Sequence, residues 1–199
     1  MNEEIDRSSG LILVHVQNDF FEGGALPTEG NETILPILNQ YLAFFHSLKA
    51  PIFIVREWHS SKHISFQDCG GHLPVHCVRG THGADLHADL HIPYGTNVVS
   101  QGVLSEKVST SCFDGTDLRN RLQEKSVKRI FIGGFATEHD LMPTVIDGRR
   151  LGYETYLLID AVRGMAKFSD DAEQMIDEIF SAGANTMSLN DLTPAADIE

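Results

Sequence analysis

Between Ile52 and His76 (IFIVREWHSSKHISFQDCGGHLPVH), Glu57, His59, His63, His72 and His76 follow directly on a β-branched run of Ile52, Ile54 and Val55. A carboxylate grouped with imidazoles is a donor set for a divalent metal such as zinc, iron or manganese. Glu57 and His59 have strand spacing, so an extended backbone sends both side chains to the same side. His76 could close the site from the loop beyond. Any one of these histidines alone reads more simply as part of a polar surface loop; it is Glu57, His59 and His76 together that point to a metal.

The elements that must position these residues are legible as apolar runs and periodicities. Leu11 to Val16 (LILVHV) is nearly continuous and apolar, the pattern of a strand buried on both faces of a parallel sheet. Helical periodicity runs from Ile34 to Leu48, with Asn31 or Thr33 as its cap and Pro36 in the first turn. After the metal-like stretch, Asn97 to Gln101 reads as a strand, and Thr116 caps a helix from Asp117 to about Glu124. Ile130 to Gly134 is a further strand, followed by a helix from about His139 to Leu151 that stops at Gly152. Thr155 to Ile159 is the next strand. Ser169 caps an amphipathic helix with Met175, Ile176, Ile179 and Phe180, and Asn185 to Leu189 supplies an edge strand.

Strands alternating with helices predict an α/β fold in three layers: a mostly parallel six-stranded sheet with helices on both faces. One domain over 1–199 is expected, with tails at 1–9 and 193–199. Open parallel sheets place their ligand crevice at the carboxyl ends of the strands. There stand His15, Glu57 with His59, Gln101, Thr137 to Asp140, and Asp160. Each alone is ordinarily a turn or cap residue, Asp160 especially, but together they outline one pocket. Gly133 and Gly134 permit an unusual backbone that would aim amide N–H groups into it.

A formal net charge of -13 over 199 residues opposes binding to phosphate backbones and anionic lipid, so neither nucleic acid nor membrane is an expected partner and a small-molecule ligand is. No apolar run approaches bilayer-spanning length and the start, MNEEIDRSSG, is acidic and polar, from which a cytoplasmic location is expected. Cys69, Cys77 and Cys112 form no paired framework, consistent with a reducing compartment.

The stretches LILVHVQNDFFEGGAL, REWHSSKHISF, LPVHCV, FDGTDL, GGFATEHDL and ETYLLIDAVRG, in this order, resemble the successive motifs of the nicotinamidase and isochorismatase-like cysteine hydrolases. The resemblance runs from about Gly10 to Leu189 and is nearest to nicotinamidases (pyrazinamidases), which hydrolyse nicotinamide to nicotinate and ammonia. It implies a divalent metal held by Glu57, standing where the family has aspartate, with His59 and His76; in some members a histidine matching His63 also faces the metal. It implies self-association, since relatives are commonly dimers or larger. Phe20 keeps the family's aromatic after the first strand, whereas Leu73 stands where an aromatic wall is usual. Ala136 and Thr137 match the turn that builds the oxyanion hole after a cis peptide, here between Phe135 and Ala136.

The same resemblance places a cysteine nucleophile, an aspartate base and a lysine at Asp140, His15 and Gln101. All three are replaced, and Cys69, Cys77 and Cys112 match no nucleophile position, so no thioester route is expected. The expectation is a nicotinamidase-like metal-binding protein without cysteine amidase activity. The alternative is a small-amide hydrolase in which metal-activated water attacks and Asp140 or His15 serves as acid or base. Asp140, at the start of a helix, is expected to be ionised by the dipole and to contact His15.

Overall fold

A computed structural model describes residues 4–135, 140–163 and 179–194. In chain order, its elements are β1 (Glu4–Ile5), β2 (Ser9–Val14), α1 (Leu35–Ser47), β3 (Ile52–Glu57), β4 (Asn97–Gln101), α2 (Leu118–Glu124), β5 (Arg129–Phe135), α3 (Met142–Arg150), β6 (Glu154–Arg163), β7 (Asn185–Met187) and β8 (Thr193–Pro194). Six of the strands form one sheet in the order β4-β3-β2-β5-β6-β7, and every ladder in it is parallel. β1 and β8 pair with each other, so segments expected as tails meet in a two-stranded ladder, Glu4 opposite Thr193.

The alternation along β2 explains the three layers. Leu11 and Leu13 face one side and join Leu38, Tyr41, Leu42 and Phe45 of α1 in a buried cluster. Ile12 and Val14 face the other, with Leu118 and Leu122 of α2 and Val145 of α3. A strand with apolar demand on both faces reads as an unbroken apolar run, and parallel strands joined through helices are covered on both sides. Fully burying one such Leu or Ile contributes roughly 1.5–3 kcal/mol.

Several boundaries differ from those predicted. β2 stops at Val14, because His15 turns left-handed (φ 56°); Val16 is buried beyond the strand, which is why the apolar run overstated it. Neither Asn31 nor Thr33 caps α1. Asn31 donates to the Phe20 carbonyl (2.6 Å), Thr33 to the Gly30 carbonyl (2.6 Å), and a 3₁₀ turn over Asn31–Ile34 leads into a helix that does carry proline in its first turn. α2 begins at Leu118, whose N–H is accepted by the Thr116 hydroxyl (3.3 Å). β6 runs past Ile159 to Arg163 because its pairing with β5 shifts register after Ile132, letting the strand continue. The helix expected after Ser169 lies outside the described residues as far as Met175 and Ile176; Ile179 is buried and Phe180 exposed.

The chain builds the sheet outward from β2 through β3 to β4, then returns to β5 on the other side and continues to β7. The reversal falls between β2 and β5, and such a switch point opens a crevice at the carboxyl ends of the strands. At this seam Gly134 (φ 125°) lies so close to β2 that a Cβ would stand 2.2 Å from the Val14 carbonyl oxygen. Only glycine allows the strands to approach this way.

Candidate active site and metal centre

Four neighbouring strands each deliver one polar side chain to the crevice: Gln101 ends β4, Glu57 ends β3, His15 follows β2, and Asp140 lies just before α3, the helix after β5. Glu57 and Gln101 are register partners. The Gln17 amide holds the Glu57 backbone from both sides: its Nε2 donates to the Glu57 carbonyl (2.8 Å) and its Oε1 accepts the Glu57 N–H (2.7 Å). Gln17 was not among the predicted site residues, although a buried amide directly after an apolar strand is the signal that marks it.

Pairing continues past β3 and gathers the histidines. The His59 N–H donates to the Cys77 carbonyl (3.0 Å) and the Arg79 N–H donates to the His59 carbonyl (2.9 Å), which brings the loop carrying His76 alongside. The Asp19 carboxylate anchors that loop by accepting the Cys77 N–H (2.6 Å). Glu57 Oε2 lies 3.1 Å from His59 Nε2 and 2.8 Å from His76 Nε2. The other ring nitrogens face backbone oxygens, His59 Nδ1 to Gly102 (3.0 Å) and His76 Nδ1 to Pro74 (2.8 Å), so both Nε2 atoms are presented inward. This is the outer-shell arrangement that orients metal-binding imidazoles. The three donor atoms lie within 4.8 Å of one another, and a carboxylate with two oriented imidazoles fits a divalent transition metal.

His63 is not part of this group. Its Nδ1 is engaged by Ser65 Oγ (2.7 Å) and its Nε2 by the Lys107 carbonyl (3.0 Å); its ring packs against His59, with centroids 4.2 Å apart. His63 therefore packs behind the His59 ring. His72 is exposed at the pocket rim. Asp160, expected in the pocket, lies within β6, where it accepts the Tyr41 hydroxyl (2.8 Å) and the Leu189 N–H (2.8 Å) and ties α1 to the following turn.

Gln101, Asp140 and His15 converge. Gln101 Nε2 donates to Asp140 Oδ1 (2.9 Å) and to the Ser109 carbonyl (3.2 Å). His15 Nδ1 is 3.8 Å from Asp140 Oδ2 and 3.9 Å from Glu57 Oε1, so the expected approach of His15 to Asp140 is present. His15 is fully buried and, among the described residues, neither ring nitrogen has a hydrogen-bond partner within 3.5 Å; Gln101 Oε1 is likewise buried and unpartnered among them. Burial disfavours the charged form of His15 and lowers its pKa against the pull of Glu57.

Burial raises the Glu57 carboxyl, but hydrogen bonds from His59 and His76 outweigh it and hold the group well below the usual range. Asp140 departs from expectation. Burial, then the adjacent negative charge of Glu57, push its carboxyl well above the ordinary value, against the Gln101 hydrogen bond. The helix-dipole expectation of an ionised Asp140 left out this second carboxylate, contributed by a remote part of the chain.

A cavity of about 340 Å³ opens above these groups, lined among others by Phe20, Leu26, Leu73, His76 and Asp140. The Phe20 ring stacks on His15 (centroids 5.9 Å, planes 15° apart) and meets His76 edge-on (6.0 Å). Leu73 supplies an aliphatic wall. Ala136 and Thr137, and the peptide between Phe135 and Ala136, fall outside the described residues. No cysteine lines this cavity: Cys77 and Cys112 are buried, burial pushing both thiols far up, and Cys69 is half-buried elsewhere. Such a pocket, with an apolar wall and a few convergent polar groups, suits a small ligand.

The chain matches the isochorismatase domain model over residues 9–191. It is similar to the nicotinamidase of Acinetobacter baylyi, at 30% identity over 202 residues covering 89% of this chain and 91% of that one. Among solved structures it is similar to the pyrazinamidase of Pyrococcus horikoshii in complex with zinc, with a TM-score of 0.87 and 37% identity covering 92% of this chain and 99% of that one. It is also similar to PnC1 from L. infantum in complex with nicotinate, with a TM-score of 0.90 and 28% identity covering 98% and 100%.

Proposed function

As the chain belongs to the isochorismatase domain family and is nicotinamidase-like within it, we propose that it is a metal-binding member that takes a small ligand in this pocket and has no cysteine amidase activity. The observation that carries this reading is the Gln101 to Asp140 hydrogen bond (2.9 Å), with His15 beside it, at the positions where the resemblance calls for lysine, nucleophile and base. A thioester route needs a thiolate at the substrate carbonyl. Asp140 supplies a carboxyl there, raised by burial and by Glu57, and Gln101 supplies an amide that cannot carry lysine's charge.

Glu57, His59 and His76 are the residues that would hold a divalent metal, which supplies Lewis-acid polarisation to a bound ligand. The protein's own groups do the rest. Phe20, Leu26 and Leu73 exclude water from one side of the cavity, and Gln101 fixes the Asp140 carboxyl. A cytoplasmic location belongs to this reading and is supported by three free cysteines. A second reading, hydrolysis of a small amide with His15 or Asp140 moving the proton, is favoured by the 3.8 Å approach of these two groups beside the metal-type cluster.

Ammonia release from nicotinamide and pyrazinamide distinguishes the readings. None is expected from the purified protein; release abolished by a thiol alkylating reagent would overturn the proposal, and release insensitive to alkylation but removed by a chelator would establish the second reading. Asp140→Cys alone is expected to remain inactive, because His15 and Gln101 still replace base and lysine. The triple variant His15→Asp, Gln101→Lys, Asp140→Cys tests whether the inherited pocket still accepts nicotinamide.

A further inference from the structure

The residues replacing the expected triad leave a second donor cluster for which hydrolysis by cysteine offers no explanation. His15, Glu57 and Asp140 bring one donor atom each within 4.8 Å of the others. Glu57 belongs to both clusters: Oε2 faces His59 and His76, while Oε1 faces His15. We infer that His15 and Asp140 form a second divalent-metal site that shares the Glu57 carboxylate with the first, so that the pocket is built for a pair of transition-metal ions bridged by Glu57.

The distances come close to those of groups arranged around a common ion. Two donors each about 2.1 Å from one metal stand about 3.0 Å apart at right angles and about 3.4 Å apart at tetrahedral angles, the separation growing with wider angles. The second cluster has spacings of 3.8 and 3.9 Å, wide for a hydrogen bond and within a small contraction of a ligand set. His15 supplies an independent sign. It is wholly buried, both ring nitrogens lack a hydrogen-bond partner within 3.5 Å among the described residues, and its backbone adopts φ 56° while Phe20 stacks on its ring. A buried imidazole kept in that conformation without a partner calls for one.

Asp140 is oriented as an outer shell would orient it: Oδ1 accepts from Gln101, leaving Oδ2 toward His15. Gln101 Oε1, buried and without a partner among the described residues, is a further oxygen beside the cluster. Two carboxylates crowded into one buried site repel, and a cation between them removes the repulsion. Imidazole with carboxylates suits zinc, iron or manganese.

The inference rests on Glu57, His59 and His76 as the first site, and one experiment separates the two. The purified full-length chain is dialysed to equilibrium against Mn(II), its bound metal measured by mass spectrometry, and its electron paramagnetic resonance spectrum recorded. About two ions per chain with a spin-coupled spectrum are expected, falling to about one uncoupled ion in His15→Asn and in Asp140→Asn. Asparagine at position 15 tolerates positive φ, and circular dichroism confirms that each variant is folded. A wild type holding one ion, lost in His59→Ala and unaffected by His15→Asn, would overturn the second site and leave the first. Two ions retained in both variants would also overturn the second site, and a wild type holding none would overturn both.

Discussion

Gly102 is the residue on which His59 depends most directly, and replacing it tests whether His59 is a ligand. Its φ is 65°, its carbonyl faces His59 Nδ1 at 3.0 Å, and a Cβ built there would stand 2.3 Å from His59 Cε1. Ordinary contact begins near 3.4 Å, so in Gly102→Ala the ring must retreat by about 1 Å. Metal sites tolerate ligand displacements of only about 0.2 Å. Losing an oriented ligand or its outer-shell partner costs about 10–100-fold in metal affinity, equivalent to about 1.4–2.7 kcal/mol. Alanine in the left-handed region adds about 1–2 kcal/mol of destabilisation, independent of metal. Competition against a chromophoric chelator should therefore show at least a tenfold weaker site, and urea denaturation of the metal-free protein a separate, smaller stability loss. A variant that loses stability but binds metal as tightly as wild type would refute His59 as a ligand.

Tyr41→Phe removes the hydroxyl accepted by Asp160 and should destabilise the protein by about 1–3 kcal/mol in urea, because it leaves a partly buried carboxylate oxygen unpaired. An unchanged midpoint would show that water replaces the bond. In the native state a thiol reagent should modify Cys69 alone, with Cys77 and Cys112 reacting only after denaturation, since both are buried and their thiols are pushed up; rapid native modification of either would contradict this burial. Asp6, which accepts from Ser8 and pairs with Arg129 (3.0 Å), has its carboxyl lowered despite the opposing effect of burial. A lowered folded-state pKa gives stability that is present above the unfolded value of about 3.9 and lost as pH falls through the folded one. Asp6→Asn should thus change stability by no more than about 0.5 kcal/mol at pH 7, the Asp6 side chain being half exposed and screened by solvent, and should flatten the loss below pH about 4; a steeper acid loss in the variant would reverse the sign.

The sheet was legible because each central strand satisfies both faces with one apolar run, as Leu11 to Val14 and Ile52 to Val55 do. Glu57, His59 and His76 were legible because two of them share strand spacing and the third lies on the adjoining loop. What sequence could not convey was competition for the same atoms. His63 has metal-ligand chemistry, but Ser65 and Lys107 occupy its nitrogens; Asn31 has capping chemistry, but the Phe20 carbonyl claims it. Asp160 sits inside β6 because of a register shift that no periodicity encodes. The raised carboxyl of Asp140 arises first from burial and then from Glu57, which stands far from it in sequence and beside it only in the folded sheet.

The reversal between β2 and β5 also constrains when this pocket can exist during folding. β2 pairs with β3 through partners such as Leu11 and Ile52, but with β5 through partners such as Leu11 and Phe131, across a much longer intervening chain. Closing the longer loop costs more chain entropy, and contacts of large sequence separation form slowly. Glu57, His59 and His76 can assemble once β3 is in place, whereas Asp140 reaches His15 only after β5 has docked along the seam at Gly134. The two halves of the site thus mature in sequence, and a spectroscopic metal probe added during refolding would time the arrival of β5 at the centre of the sheet.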